Sequence, residues 1–282
     1  MDEKEGMEKM SLPLLVRSKL FWYYNGKLDC NWYMGMGDGA NVAKQNAYIK
    51  DMNRFGINTA VINIMNEELS SIFTGEFMRS PIHEGKLKLL VDFIIRLKEN
   101  GKLVVIVFFD SPPAQNAKYP FWRYSSRLAP FLEIATRALA PIVDGFILGI
   151  ETDRGPCSID LVEAGIDWIQ RFAFRMVGDY RLQLPVGTHE QNVRRNKNGK
   201  LYLKRRVPRN ADFHGFETMN HPYDGDKVPV SKMVEELQFL VAHSGGIPVW
   251  KMESNPSEGA HARKQNRRIA ELPGVVGVSG VL

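Results

Sequence analysis

Several apolar runs in this chain close on residues that could do chemistry. FILGIETD ends on Glu151 and Asp153, and IPVWKMES ends on Glu253. ADFHGFETMNHPY delivers Glu217, then His221 and Tyr223; RLQLPVGTHE delivers His189 and Glu190, and KLVVIVFFD closes on Asp110. A single acid at a strand end is ordinary, since loop-facing ends are polar in most proteins. A set of acids brought to one rim is different. Two carboxyl groups that face each other repel, and with partial burial one keeps its proton while the other stays ionised. Such a pair serves as general acid/base and nucleophile.

Other chemistries find less support. The six histidines (His83, His189, His214, His221, His243 and His261) include no His-x-His pair, so no metal is expected, and no cofactor is implied. MGMGDGANVAK supplies glycines after the first apolar run, yet it lacks the dinucleotide spacing and the Lys-Ser/Thr pair of a phosphate loop. Net charge is +5, much of it in RRNKNGKLYLKRRVPR (194–209) and RKQNRR (263–268). Basic runs of this kind are usually solvated faces, and no nucleic-acid motif accompanies them. Nucleic acid is therefore not an expected partner, although 194–209 would also suit an acidic glycan or an anionic surface. Two cysteines, Cys30 and Cys157, are too few for a disulfide framework. No secretory signal is legible in the acidic N-terminus, and no segment is apolar enough to span a bilayer. A cytoplasmic protein, or one released by a non-classical route, is expected.

The elements that must position these residues alternate along the chain. Short apolar runs at 30–36, 58–65, 102–110, 144–151, 181–190, 211–219, 247–254 and 275–282 read as strands. Helical periodicity covers the segments after most of them, including 84–101, 123–143, 158–177 and 231–245, and Ser158 reads as a helix cap. The exception is 191–210, basic and Asn-rich, which reads as a hairpin-like or mobile excursion replacing the fifth helix. Near-continuous apolar strands suit a parallel sheet covered by helices. Eight such units in 282 residues predict a single (β/α)8 TIM barrel, an α/β fold, over residues 28–282. Residues 1–27 are expected to be an N-terminal extension packing on it, with LFWYYNG (20–26) against the barrel's bottom or flank, an oligomer contact being the rival reading. In such a barrel the C-terminal strand ends share one rim.

The placement of Glu151 on the fourth strand and Glu253 on the seventh resembles the clan A glycoside hydrolases, the family 5 cellulase-like enzymes and their relatives. YIKDMNRFGINTAVINI, GKLVVIVFFD, DGFILGIETD, NHPY and IPVWKMES resemble successive elements of that family. The resemblance implies a glycosidase acting on an oligo- or polysaccharide with retention, Glu151 the acid/base and Glu253 the nucleophile. It matches His221 and Tyr223 to the family's His-x-Tyr. Asp110, Asp153 and His189 would then line the substrate, with Trp32 and Trp250 among the aromatics able to stack on a sugar. Glu217, which the resemblance does not explain, is expected to bind substrate too, since His221 and Tyr223 follow it on the same loop. The family's Asn before the acid/base is Ile150 here, its strand-two Arg is Val61, its strand-three His is Phe109, and the last strand, VVGVSGVL, lacks a tryptophan. The acid pair remains while the sugar-clamping residues differ. A barrel that binds glycan or protein without turnover is the competing reading.

Overall fold

The structure is a computed structural model, and it describes residues 14–17, 28–33, 42–64, 84–109, 125–153, 157–217, 230–252 and 268–280. After a short strand β1 (Leu14–Arg17), strand and helix alternate: β2 (Leu28–Tyr33), α1 (Val42–Phe55), β3 (Thr59–Asn63), α2 (Glu84–Glu99), β4 (Leu103–Phe109), α3 (Ser125–Leu139), β5 (Gly145–Gly149) and α4 (Ile159–Phe172). A hairpin of β6 (Phe174–Val177) and β7 (Tyr180–Gln183) precedes β8 (Val186–Glu190). A second hairpin, β9 (Val193–Arg195) and β10 (Leu201–Leu203), follows it. The chain then runs through β11 (Phe213–Phe216), α5 (Val230–His243), β12 (Val249–Lys251) and β13 (Val275–Gly280). Eight strands close a parallel barrel in the order β2, β3, β4, β5, β8, β11, β12, β13. The α/β barrel read from the sequence is the fold.

Strand alternation divides the apolar side chains between two clusters. Ala60, Ile62, Val104, Ile106, Phe146 and Leu148 point outward and pack beneath helical residues such as Phe93, Leu97, Leu139 and Ile166. Val61, Val105, Val107, Ile147, Phe213, Trp250 and Met252 fill the barrel. Each fully buried large side chain contributes about 1.5–3 kcal/mol. Two strand glycines make room for this filling. A Cβ at Gly187 would lie 2.6 Å from the Phe213 ring, and one at Gly215 would lie 2.3 Å from the Met252 sulfur. At the barrel's N-terminal end, Asp144 accepts two bonds from Lys98 Nζ, at 2.6 and 2.8 Å, and one from the Val104 N–H at 2.8 Å.

Among the described residues, the elements depart from the sequence reading over 158–190. The helix expected over 158–177 starts where Ser158 caps it, its Oγ 3.2 Å from the Leu161 N–H, but stops at Phe172. Residues 174–183 instead form the antiparallel β6–β7 hairpin, turned at Gly178, whose φ of +58° suits glycine. Pro185 has no N–H to give a ladder, so β7 and β8 are separate strands where one was expected over 181–190. β1 pairs in parallel with β7, Leu14 opposite Tyr180 and Arg17 opposite Gln183. This three-stranded sheet sits between the end of α4 and the start of β8, hence at the N-terminal end of the barrel. Residues 20–26 lie outside the described residues.

Candidate active site at the C-terminal rim

The fourth barrel strand ends abnormally. Gly149 is in tight quarters: a Cβ there would lie 3.2 Å from both Phe109 Cβ and Thr152 Cγ2. Ile150 packs with the barrel filling, and Glu151 takes a left-handed backbone, φ +49°. A non-glycine residue there costs roughly 1–2 kcal/mol and persists only where its surroundings hold it. The surroundings here are specific. Ile150 N–H donates to Phe109 O at 3.0 Å and Thr152 N–H to His189 O at 3.2 Å. The Glu151 carboxylate, on a residue only 7% exposed, accepts from Gln191 Nε2 at 2.6 Å.

Gln191 opens the excursion that replaces the fifth helix, and that excursion is the β9–β10 hairpin. Much of its basic run is paired within the chain. Arg194 and Lys204 pair with Asp153, Arg205 with Glu190, Arg195 with Glu235 and Glu236, and Arg206 with Glu163. The Arg206 guanidinium on Glu163 outweighs the opposing effect of burial, and its carboxyl is held down at about 2. Five of the cations that suggested an acidic glycan or an anionic surface are thus committed within the chain.

Outside the barrel wall, beneath this hairpin, lies a buried polar cluster. Thr188, Glu190 and His214 face outward from β8 and β11 and are fully buried. Arg205 Nη2 donates to Glu190 Oε1 and, at 2.7 Å, to Thr152 Oγ1, which itself donates to Glu190 Oε1 at 2.8 Å. Arg205 Nη1 reaches the Cys157 carbonyl at 3.0 Å. Burial pushes Glu190 above the usual carboxylate range against the pull of Arg205. Burial also pushes the Cys157 thiol up to about 11. His214, 3.4 Å from Asn192 Oδ1, is driven down to about 3 by burial and by the charge of Arg205.

His214 therefore stays neutral when folded and takes a proton near 6.5 when unfolded, so its contribution to stability is complete above pH 6.5 and lost as pH falls from there towards 3. Glu190, raised by burial, has the opposite slope, so the test is a difference. Urea unfolding of the native chain and of His214→Gln should show the native chain's advantage at pH 7.5 shrinking by about 2 kcal/mol at pH 5. A gap that stays constant would mean that His214 accepts a proton as readily folded as unfolded.

The other residues singled out from the sequence fall as follows. Glu151 and Glu217 each follow the C-terminal end of a barrel strand, β5 and β11, and so share the rim. Alternation turns Asn63, His189 and Glu217 into the barrel's top layer, where each is 0–1% exposed. Glu217 N–H donates to Glu190 O at 3.2 Å. Asp153 is engaged by the hairpin: Oδ1 accepts the Gln191 N–H at 2.8 Å, and Oδ2 lies 3.4 Å from Arg194 Nη2. Trp250 is a correction. It is fully buried inside the barrel with its ring 5.6 Å from that of Phe213, and offers no face to a sugar. Trp32 lies on β2 opposite Val61. Glu253, Asp110, His221 and Tyr223 lie outside the described residues. Gln191, Arg194, Lys204 and Arg205 were not singled out individually. Among the described residues, no His, Cys, Asp and Glu side chains gather in threes to hold a metal, and no helix is long and apolar enough to cross a membrane.

No family model matches the sequence, and no curated protein is similar to it. Solved structures are similar in fold. A GH5_18 protein from Bifidobacterium longum subsp. longum superposes with a TM-score of 0.63 at 12% identity, over 92% of this chain and 70% of that one. The β-mannanase of the blue mussel Mytilus edulis gives 0.58 at 13% identity, over 91% and 86%. Pseudomonas stutzeri endoglucanase Cel5A gives 0.59 at 13%, over 90% and 84%. The fold is thus the closed (β/α)8 barrel that these glycoside hydrolase structures share.

Proposed function

We propose that this barrel is a retaining glycoside hydrolase acting on an oligo- or polysaccharide, with Glu151 as acid/base and Glu253 as nucleophile. The observation that carries the reading is the end of β5. There a glutamate is kept in a strained left-handed backbone, nearly buried, at the strand position where family 5-like barrels carry their acid/base. In the first step Glu151 gives its proton to the glycosidic oxygen while the Glu253 carboxylate attacks the anomeric carbon; the C–O bond breaks and a glycosyl ester forms. In the second, Glu151 takes a proton from water, whose oxygen attacks the same carbon and releases Glu253. The test is hydrolysis of a panel of aryl glycosides and polysaccharides, with NMR of the first-formed product anomer. Retention is expected; inversion would place a water between the carboxylates and end the nucleophile role.

One observation favours a binding barrel without turnover. Val61 and Ile150, which stand where the resemblance calls for the strand-two Arg and for the Asn before the acid/base, both pack into the same apolar cluster inside the barrel. Binding of a glycan by calorimetry, with no hydrolysis across the panel, would establish that alternative.

A further inference from the structure

We propose that Gln191 is a positioning residue for the acid/base, and that the basic hairpin exists to hold it there. The inference rests on the reading of Glu151 given above and goes beyond it. Glu151, Thr152 and Asp153 form the turn that leaves β5, and residues 190–205 grip all three. Gln191 Nε2 holds the Glu151 carboxylate at 2.6 Å. Arg205 and Glu190 hold the Thr152 hydroxyl at 2.7 and 2.8 Å. The Gln191 backbone N–H, Arg194 and Lys204 hold Asp153. Gln191 is the hinge of this arrangement, because its main chain binds Asp153 while its side chain binds Glu151, two residues away. It is 1% exposed and sits directly after β8, so the barrel wall fixes its backbone.

The type of donor matters. Asp153 and Glu190 receive cations, whereas Gln191 gives Glu151 a neutral amide. An amide N–H can donate both to a carboxylate oxygen, more strongly, and to the C=O oxygen of a carboxylic acid, so the contact can persist through the departure and return of the proton in both catalytic steps. The amide fixes where the carboxylate of this left-handed residue points. The three hairpin cations meanwhile answer the two fixed carboxylates beside it, so the rim does not expel its acids by repulsion.

The test compares leaving groups. Gln191→Met keeps the length and shape of the side chain and removes the N–H. On unmodified oligosaccharides, whose leaving groups need a proton, kcat/KM is expected to fall about ten- to hundredfold. On 2,4-dinitrophenyl glycosides, whose leaving group departs without one, the fall in the glycosylation step should be under about threefold. Asp153→Asn, which loosens the hairpin but keeps Gln191, should show the same selectivity in weaker form. A fall equal on both substrate classes would make Gln191 merely structural and overturn the inference while the native enzyme's activity upholds the function. A silent native protein across the whole panel would instead remove the reading of Glu151, and this inference with it.

Discussion

Glu253→Gln is expected to leave no measurable turnover on any glycoside, because an amide cannot form the glycosyl ester. Glu151→Gln should cost about 10²–10⁴ in kcat/KM on substrates with poor leaving groups, the range spanned by a lost general acid. Its deglycosylation step should slow on activated substrates as well. Glu217→Gln, at a top-layer position beside His189, should raise KM or lower kcat only moderately, since a carboxylate that accepts bonds from substrate hydroxyls is partly replaced by an amide oxygen. Steady-state kinetics of the three variants, each checked by circular dichroism for folding, decides among them. If folded Glu217→Gln were as inactive as Glu253→Gln, the chemistry would belong to β11 and the strand-seven assignment would fall.

The largest stability effect is expected at the Arg205–Glu190 pair. Both groups are desolvated, and the Glu190 carboxyl is entirely buried. Removing one partner of such a pair is costly because the survivor keeps its charge without compensation. Glu190 can escape by taking up a proton, and that escape caps the penalty. From pH 7 down to the ordinary carboxylate value of 4.5 the cap is about 3 kcal/mol. Arg205→Met should thus lower stability by up to about 3 kcal/mol at pH 7 and visibly less at pH 5, with a fall in Tm of at most roughly 6–12 °C at neutral pH. Adding Glu190→Gln should recover much of the loss, because neither member is then left charged. Thermal melts at the two pH values test this; an Arg205→Met protein that melts with the native one at pH 7 would mean that water, not protein, solvates Glu190.

The barrel was legible because parallel strands covered on both faces are written as unbroken apolar runs, such as LVVIVFF of β4. The same property hid the facing of individual residues. In VWKM no alternation of polar and apolar separates Trp250, inside the barrel, from Val249, outside it, so an aromatic near the rim passed for a stacking platform. The split of 181–190 was hidden by Leu182 and Leu184, which continue the pattern across Pro185 although the backbone leaves one sheet and joins another. At the site, strand-end acids announced themselves by breaking apolar runs. Gln191 did not, being one uncharged residue after a His-Glu pair. Most of the hairpin's arginines read as solvated because their partners stand about 40 positions away, Asp153 and Glu163 earlier in the chain and Glu235 and Glu236 later, and composition carries no record of pairings at that range.

The pairing of β1 with β7 bears on how the molecule is assembled. Leu14 meets Tyr180 in register, so β1 must wait for a strand synthesised 166 residues later. At a ribosome's pace of about 5–20 residues per second, β1 is exposed without its neighbour for roughly 8–33 s. The β6–β7 ribbon can zip locally within microseconds of emerging, which gives β1 a finished edge to join rather than a partner to find. Docking β1 closes a loop spanning more than half the chain, late in biogenesis and after the local ribbon is in place, and its release would be among the first openings to appear in amide exchange.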